Sequence, residues 1–339
     1  MIKKRLLIGA LALTLPAGLA WGQTGVAPQS GLPASVQSHV DKAYAILKGD
    51  VSKRALPGLI YLINDKVFPA PVPETRKLPN LPAQKAFDQF YYLGENWLNA
   101  WALNTTDGII LFDTLASPAE AQAYIEEGLK KVGLDPKNIK YIVITHGHPD
   151  HVGGAKYLQD KYHPKVLMSA IDWETVLKGQ TGSDAPPPTA PKRDGDLADG
   201  GKLTLGGTTI SFTLTPGHTP GTMSIIIPVT DHGKPHVISF IGGTGLNQMK
   251  DPSKGGGKIL RDSLAKFAKV SQAAGADVLI SSHPFNDDAW DKAKIINDGR
   301  AGAVSPFVDT KDAVQRYYAS AIEGVLAVEA WDAGKPAAP

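Results

Sequence analysis

His146, His148, Asp150 and His151 stand within six residues, in the run Thr145-His146-Gly147-His148-Pro149-Asp150-His151-Val152-Gly153-Gly154. Neutral imidazole and carboxylate are donors that suit zinc, at about 2.0–2.2 Å. Crowding three imidazoles and a carboxylate together has no packing rationale, whereas a bound cation reverses the local electrostatics and stabilises the cluster. A cation so held supplies Lewis-acid and hydrolytic chemistry. The apolar run Tyr141-Ile142-Val143-Ile144 that precedes the cluster reads as a buried strand. Pro149 is expected to stop any regular element, and Gly153-Gly154 mark the next one. The four donors therefore belong at a strand end.

Two further histidines share that setting. The strand expected over Ile210 to Thr215 runs into Pro216-Gly217-His218-Thr219-Pro220-Gly221, where two Pro/Gly turns present His218 rigidly. The apolar stretch Asp277-Val278-Leu279-Ile280 delivers Ser281-Ser282-His283-Pro284. The other histidines have plainer readings: His39 on a helix surface, His163 at a helix end, His232 in a turn and His236 at a strand start. Asp113 follows the strand Ile109 to Phe112, as a turn residue or as a support for the ligand loop.

The elements that must hold these side chains alternate between strand and helix. Three short strands are expected between Phe87 and Asp113, with Thr106-Asp107-Gly108 as a hairpin turn. Ser117-Pro118-Ala119-Glu120 opens a helix to about Val132, with serine as cap, proline at the first position and glutamate three residues after the cap. Helices are expected over Val152 to Tyr162, Asp172 to Leu177, Ile259 to Ala273 and about Thr310 to Trp331. Strands are expected over Lys165 to Met168, Lys202 to Leu205, Thr208 to Thr215, Met223 to Val229 and His236 to Ile241. Residues 179–191 form a long loop of the kind that often borders a binding site.

Taken together, Asp113 after an apolar strand, Thr-His-Gly-His-Pro-Asp-His, Pro-Gly-His-Thr-Pro-Gly and a late Ser-His-Pro resemble the metallo-β-lactamase superfamily, over nearly all of residues 87–330. The resemblance implies an αββα sandwich, an α/β fold of two mixed β-sheets flanked by helices, with the metals at one edge. It implies that His146, His148 and His218 bind one Zn²⁺, and that Asp150, His151 and His283 bind a second. The set has no cysteine, which looks most like the third subclass of the class B β-lactamases. Elsewhere in the superfamily an aspartate bridges the metals at the strand end that corresponds to Gly243-Thr244-Gly245. Threonine stands there in this chain, which weakens glyoxalase and nuclease readings.

Two such ions share a water and lower its pKa from about 15.7 to near neutrality, so a metal-bound hydroxide serves as nucleophile without serine or cysteine. Asp150 has two roles in this reading, ligand and orienter of the attacking oxygen. Asp113, Ser282 and Thr219 are candidates to hold the histidine rings through their other nitrogen. Candidate substrate contacts are Thr244, Asn247, Trp173 and Phe285, with Trp97 placed either near the mouth or in the core.

Composition bounds the rest. The 339 residues, 42% of them hydrophobic, suffice for a substantial core. Lys3-Lys4-Arg5, the apolar run from Leu6 and the small residues ending at Gly22 form the three-part pattern of a secretory signal over 1–22. Its removal takes the formal charge from +2 to +2 − 3 = −1, so no polyanion-binding surface is expected and nucleic acid is not a partner. Residues 23–84 read as an N-terminal extension with a Pro-rich linker, and residues 85–335 as the enzymatic domain. The chain contains no cysteine, so its stability rests on packing and metal rather than disulfides. The expectation is a secreted or periplasmic dinuclear zinc hydrolase acting on a small molecule, without membrane attachment once the signal is gone. β-Lactam amide opening comes first. Hydrolysis of a lactone, organophosphate or other ester is the alternative, and a non-catalytic metal-containing binding protein is the third reading. Oligomeric state is left open.

Overall fold

The computed structural model describes residues 31–47, 77–179, 190–243, 245 and 255–334. Two sheets lie face to face. The first has seven strands in sequence order: β1 (Gln84–Phe87), β2 (Phe90–Gly94), β3 (Asn99–Thr105), β4 (Gly108–Phe112), β5 (Ile139–Val143), β6 (Lys165–Ser169) and β7 (Gly195–Leu197). β1 to β4 pair antiparallel, and β4 to β7 pair parallel. The second has five strands in the order β12-β11-β10-β9-β8, with β8 (Lys202–Leu205), β9 (Thr208–Leu214), β10 (Met223–Asp231), β11 (Lys234–Ile241) and β12 (Val278–Ser281). Only the β11–β12 pair in that sheet is parallel.

The two-residue period of a strand sorts its side chains between layers. In β3, Trp101 and Leu103 enter the core between the sheets, while Ala100 and Ala102 face the outer helices. Both faces are apolar because both are covered, which is why these strands read as continuous hydrophobic runs. Trp101 stacks on Phe90 at 5.2 Å and meets Phe307 edge-on at 5.4 Å. Its indole N–H donates to the Ser281 carbonyl at 3.1 Å. That bond ties β3 to the end of β12, two residues before His283.

Helices close both outer faces. On the seven-stranded sheet lie α2 (Pro118–Glu120, Ala121–Glu126 and Glu127–Lys131 in succession), α3 (Pro149–Val152), α4 (Ala155–Tyr162) and α5 (Ala170–Leu177). On the other sheet α6 (Gly256–Ala274) and α8 (Lys311–Ala333) pack together with α1 (Ala34–Leu47). α1 buries Val36, Val40, Ala43 and Leu47, the one-faced spacing of an amphipathic helix. α7 (Ala289–Asn297) sits against β1. The arrangement is the αββα sandwich of mixed sheets expected above.

Several local expectations need revision. Pro149 begins α3 rather than stopping the chain, because proline at the first helical position gives up no hydrogen bond. The helix expected over Val152 to Tyr162 breaks at Gly153-Gly154. A Cβ on Gly153 would lie 2.1 Å from the carbonyl carbon of Ala116, so this turn presses backbone on backbone against the loop after β4. α2 starts as expected, with Ser117 Oγ accepting from Glu120 N at 3.2 Å, but widens into a π-helical turn over Ala121–Glu126. β1, β7 and α7 went unread; β1 and β7, at four and three residues, are too short for a period to show in the sequence. Residues 1–22 and most of the loop 179–191 and of the Pro-rich stretch lie outside the described residues. Among the described residues, no helix is long and apolar enough to cross a membrane.

Candidate metal centre

β5, β9 and β12 end at one edge of the sandwich, and the loops that leave them carry the clustered side chains. His146, His148 and His218 bring one ligand atom each to within 4.8 Å of one another, and so do Asp150, His151 and His283. All five histidines are buried.

The ring orientations follow from what each Nδ1 touches. His146 Nδ1 lies 2.9 Å from the Gly242 carbonyl, His218 Nδ1 3.0 Å from that of Gly245, and His283 Nδ1 3.0 Å from that of Trp97. A carbonyl oxygen only accepts, so each Nδ1 carries the proton and each Nε2 presents a bare lone pair. His146 Nε2 and His218 Nε2 are nevertheless 3.1 Å apart. Two lone pairs facing at that distance repel unless a cation lies between them. Two tetrahedral zinc ligands at 2.0–2.1 Å are separated by about 3.3 Å. His151 donates from Nδ1 to Asp113 Oδ2 at 2.9 Å, and its buried Nε2 has no hydrogen-bond partner. That Nε2 and His283 Nε2 each lie 3.7 Å from Asp150 Oδ2. The donor sets match what a divalent cation requires: neutral nitrogen lone pairs and one carboxylate converging in two groups.

Electrostatics agree with the geometry. Burial pushes His148 and His283 down to about 4, with neighbouring imidazoles adding to the effect, and holds His146 and His218 well below the ordinary histidine range. These four rings are therefore neutral, as ligands must be. For His151, burial opposes the charged form, but Asp150 and Asp113 together outweigh it and raise the pKa. Burial works against the Asp150 carboxylate too, yet the surrounding imidazoles prevail and lower its pKa.

Two buried carboxylates outside the donor sets hold the loops. Asp113 sits at φ 57°, a left-handed conformation that aspartate tolerates. It accepts from Thr145 N at 2.8 Å, from Thr145 Oγ, from His151 Nδ1 and from Ser282 Oγ. Asp113 is thus the support considered from the sequence, and Ser282 contributes through it. Asp172 is the residue that sequence reasoning missed. It accepts from the backbone N–H groups of Gly147 and Gly221 and from Thr219 Oγ. The available signal was Ser169-Ala170-Ile171-Asp172, an N-cap serine three residues before an acid, and it reads only as a helix start.

The candidate substrate contacts fare differently. Trp173 is fully buried in the helix-side core, and its Nε1 donates to the Gly195 carbonyl at 3.0 Å, so it offers no surface at the site edge. Phe285 stacks on the His283 ring at 5.0 Å but is 4% exposed, which makes it a brace for that ring. Trp97 is half-buried beside His283, with ring centroids 5.3 Å apart. Thr244 and Asn247 lie outside the described residues. The four histidines set aside from the sequence lie outside both donor groups: His39 meets Glu323 at 2.6 Å, His236 meets Asp277 at 2.8 Å, His163 ends α4 and His232 stands in an exposed turn.

Comparison with known proteins converges on the same reading. The family model described as metallo-beta-lactamase superfamily matches residues 98–231. Residues 98–231 thus carry the likeness to the metallo-β-lactamase superfamily. MEM-A1, a subclass B3 metallo-β-lactamase isolated from a soil metagenome library, superposes with a TM-score of 0.61 at 25% identity, covering 76% of this chain and 99% of that one. A probable metallo-hydrolase of Bacillus subtilis (strain 168), YqgX, is 28% identical over 155 residues, 44% of this chain and 70% of the relative. A hydroxyacylglutathione hydrolase of Acidiphilium cryptum (strain JF-5) is 30% identical over 104 residues, 31% of this chain and 35% of the relative. The chain spans about half the length of the curated relatives it matches, from 35% to 70%. Metallo-β-lactamase superfamily members are metal-dependent hydrolases, and the two histidine-rich groups supply this chain with the ligands that chemistry requires.

One rim contact gives a pH-dependent expectation. Glu95 lies in the turn between β2 and β3; burial first and the neighbouring Glu120 carboxylate second push its carboxyl up to about 7. A carboxyl raised in the folded state binds its proton more tightly there than in the unfolded chain. Stability is therefore lost as pH rises from about 4.5 to 7. Glu95→Gln is expected to flatten this slope, raising the melting temperature at pH 8 by about 1–2 °C after allowance for solvent screening, with no gain at pH 4. Parallel melting curves of the two proteins across that range check it.

Proposed function

We propose that the chain is an exported zinc hydrolase that opens the amide of a β-lactam ring, with His146, His148 and His218 holding one Zn²⁺ and Asp150, His151 and His283 a second. The observation that carries this reading is the convergence of the two donor groups, with an aspartate and no cysteine among them. Zinc at such a site supplies an activated water and a Lewis acid for the carbonyl under attack. The chain's own residues do the positioning. Backbone carbonyls of Gly242, Gly245 and Trp97 fix three imidazoles in the ligating tautomer, and Asp113 fixes a fourth. The 3.7 Å separations of Asp150 Oδ2 from His151 Nε2 and His283 Nε2 support its reading as a ligand that would also orient the attacking oxygen.

The choice of β-lactam over other acyl substrates rests on two supports. Threonine follows Gly243, where a bridging carboxylate would serve the ester-cleaving and phosphodiester-cleaving relatives. The likeness to B3 β-lactamases runs the length of their fold, as with MEM-A1. A second reading, hydrolysis of a lactone or other ester, draws on the partial matches to hydroxyacylglutathione hydrolases. Export is proposed from Lys3-Lys4-Arg5 and the apolar run after it.

The deciding experiment recovers the mature chain from the periplasmic fraction, counts its zinc, and assays a carbapenem, a lactone and a hydroxyacylglutathione. Two zinc ions per chain with turnover of the carbapenem alone is the expected result. Turnover of only the lactone or hydroxyacylglutathione transfers the assignment to the second reading. A zinc-loaded protein inert toward all three overturns the enzymatic assignment.

A further inference from the structure

We infer that Asp172 is a positioning residue that clamps the two loops of the His146/His148/His218 group together and so controls metal occupancy of that group and not of the other. The inference rests on the proposed metal reading and extends it to a residue outside the donor sets.

Asp172 lies in the first turn of α5 and is 1% exposed. Its Oδ2 accepts from Gly147 N at 2.8 Å and from Thr219 Oγ at 2.7 Å, and its Oδ1 accepts from Gly221 N at 2.9 Å. Gly147 stands between His146 and His148, and Thr219 follows His218. One carboxylate thus joins ligand segments 72 residues apart in the chain. The only other tie of this kind among the described hydrogen bonds is Met223 N to the Thr145 carbonyl, at 2.8 Å. The loops are packed hard against the carboxylate: a Cβ on Gly221 would fall 2.5 Å from Asp172 Oδ1, and one on Gly147 would fall 3.3 Å from Asp172 Cβ.

Two features separate a positioning role from a merely structural one. The donors to the Asp172 carboxylate are two backbone N–H groups and one hydroxyl, all neutral, and among the described residues no basic side chain pairs with it. A buried carboxylate without a basic partner is costly on its own and gains from nearby cations. Its contacts are also one-sided. None of its hydrogen bonds reaches Asp150, His151 or His283, whereas Asp113 bonds directly to His151. Asp113 spans both groups, through His151 and through Thr145 beside His146, whereas Asp172 serves the first group alone. Loss of such an outer partner typically weakens metal affinity by about 10–100-fold.

The test counts metal and needs no substrate. Wild type, Asp172→Asn and Asp172→Ala are loaded with zinc, dialysed against a chelator level at which wild type keeps two ions, and analysed for metal. Both variants are expected to keep one, with affinity at the lost position down about 10–100-fold and the asparagine variant, which retains one acceptor, the milder. Adding His283→Ala to Asp172→Asn should remove the remaining ion, while adding His148→Ala should remove nothing further. Folded variants that keep both ions at wild-type affinity, or lose both positions equally, overturn the inference. If neither variant folds, Thr219→Val decides. A several-fold loss confined to the same position supports the clamp, and unchanged affinity overturns it. A wild type that holds two ions but hydrolyses nothing leaves this inference standing, whereas a wild type holding fewer than two removes both readings.

Discussion

His148→Ala should lose the metal of the first group and more than about 100-fold of its hydrolytic rate, exceeding what removal of an outer partner costs, while His232→Ala keeps both. The ring of His148 is buried and neutral, its pKa held down to about 4, and lies edge-on to His146 at 4.8 Å and to His218 at 4.5 Å. Alanine leaves two nitrogen donors where zinc needs three from the protein and one open position. His232 stands in the turn between β10 and β11, with a side chain 70% exposed and 3.9 Å from Asp231, and reaches none of the ligand atoms. Metal analysis and initial rates on the same preparations decide the matter. Full zinc content and unimpaired turnover in the His148 variant would refute the ligand assignment.

Asp113→Ala has the largest expected effect on stability. Its carboxylate accepts from the Thr145 backbone and hydroxyl, from His151 Nδ1 and from Ser282 Oγ, all buried. Truncation strands these donors together, and each unsatisfied buried donor costs about 1–3 kcal/mol. Because they share one neighbourhood, the costs do not simply add. A loss of about 3–5 kcal/mol is expected, the scale for breaking a buried charged contact, or roughly 10 °C in melting temperature. With its Nδ1 acceptor gone, His151 is free to reorient, and the Asp150/His151/His283 group should release its metal at lower chelator concentrations than wild type. Thermal unfolding with and without chelator measures both effects. A variant melting within 2 °C of wild type would show that the carboxylate is dispensable.

The site was legible from the sequence to the extent that ligand chemistry is local. Imidazoles and a carboxylate crowded between His146 and His151 are improbable without a cation, and Pro/Gly turns around His218 and Pro284 after His283 mark rigid strand ends. The strands were legible too, because burial on both faces leaves continuous apolar runs such as Ile109 to Phe112. The phase of short elements was not. β1 and β7 span too few residues to display a period, and the break at Gly153-Gly154 answers to the Ala116 backbone, which is distant in sequence. Trp173 misled for the same reason: aromatic identity does not say which face of α5 turns inward.

By itself, the sequence determined the identity and local spacing of the donors, and with them the class of chemistry, since these are properties of side chains and of neighbouring residues. Tertiary structure alone decided which nitrogens are bare, because each tautomer is set by a carbonyl or carboxylate contributed from elsewhere in the chain. It also decided the role of Asp172. An acid in the first turn of a helix normally faces water, and only the packing of the Gly147 and Gly221 loops against it turns an ordinary helix-start residue into a buried clamp.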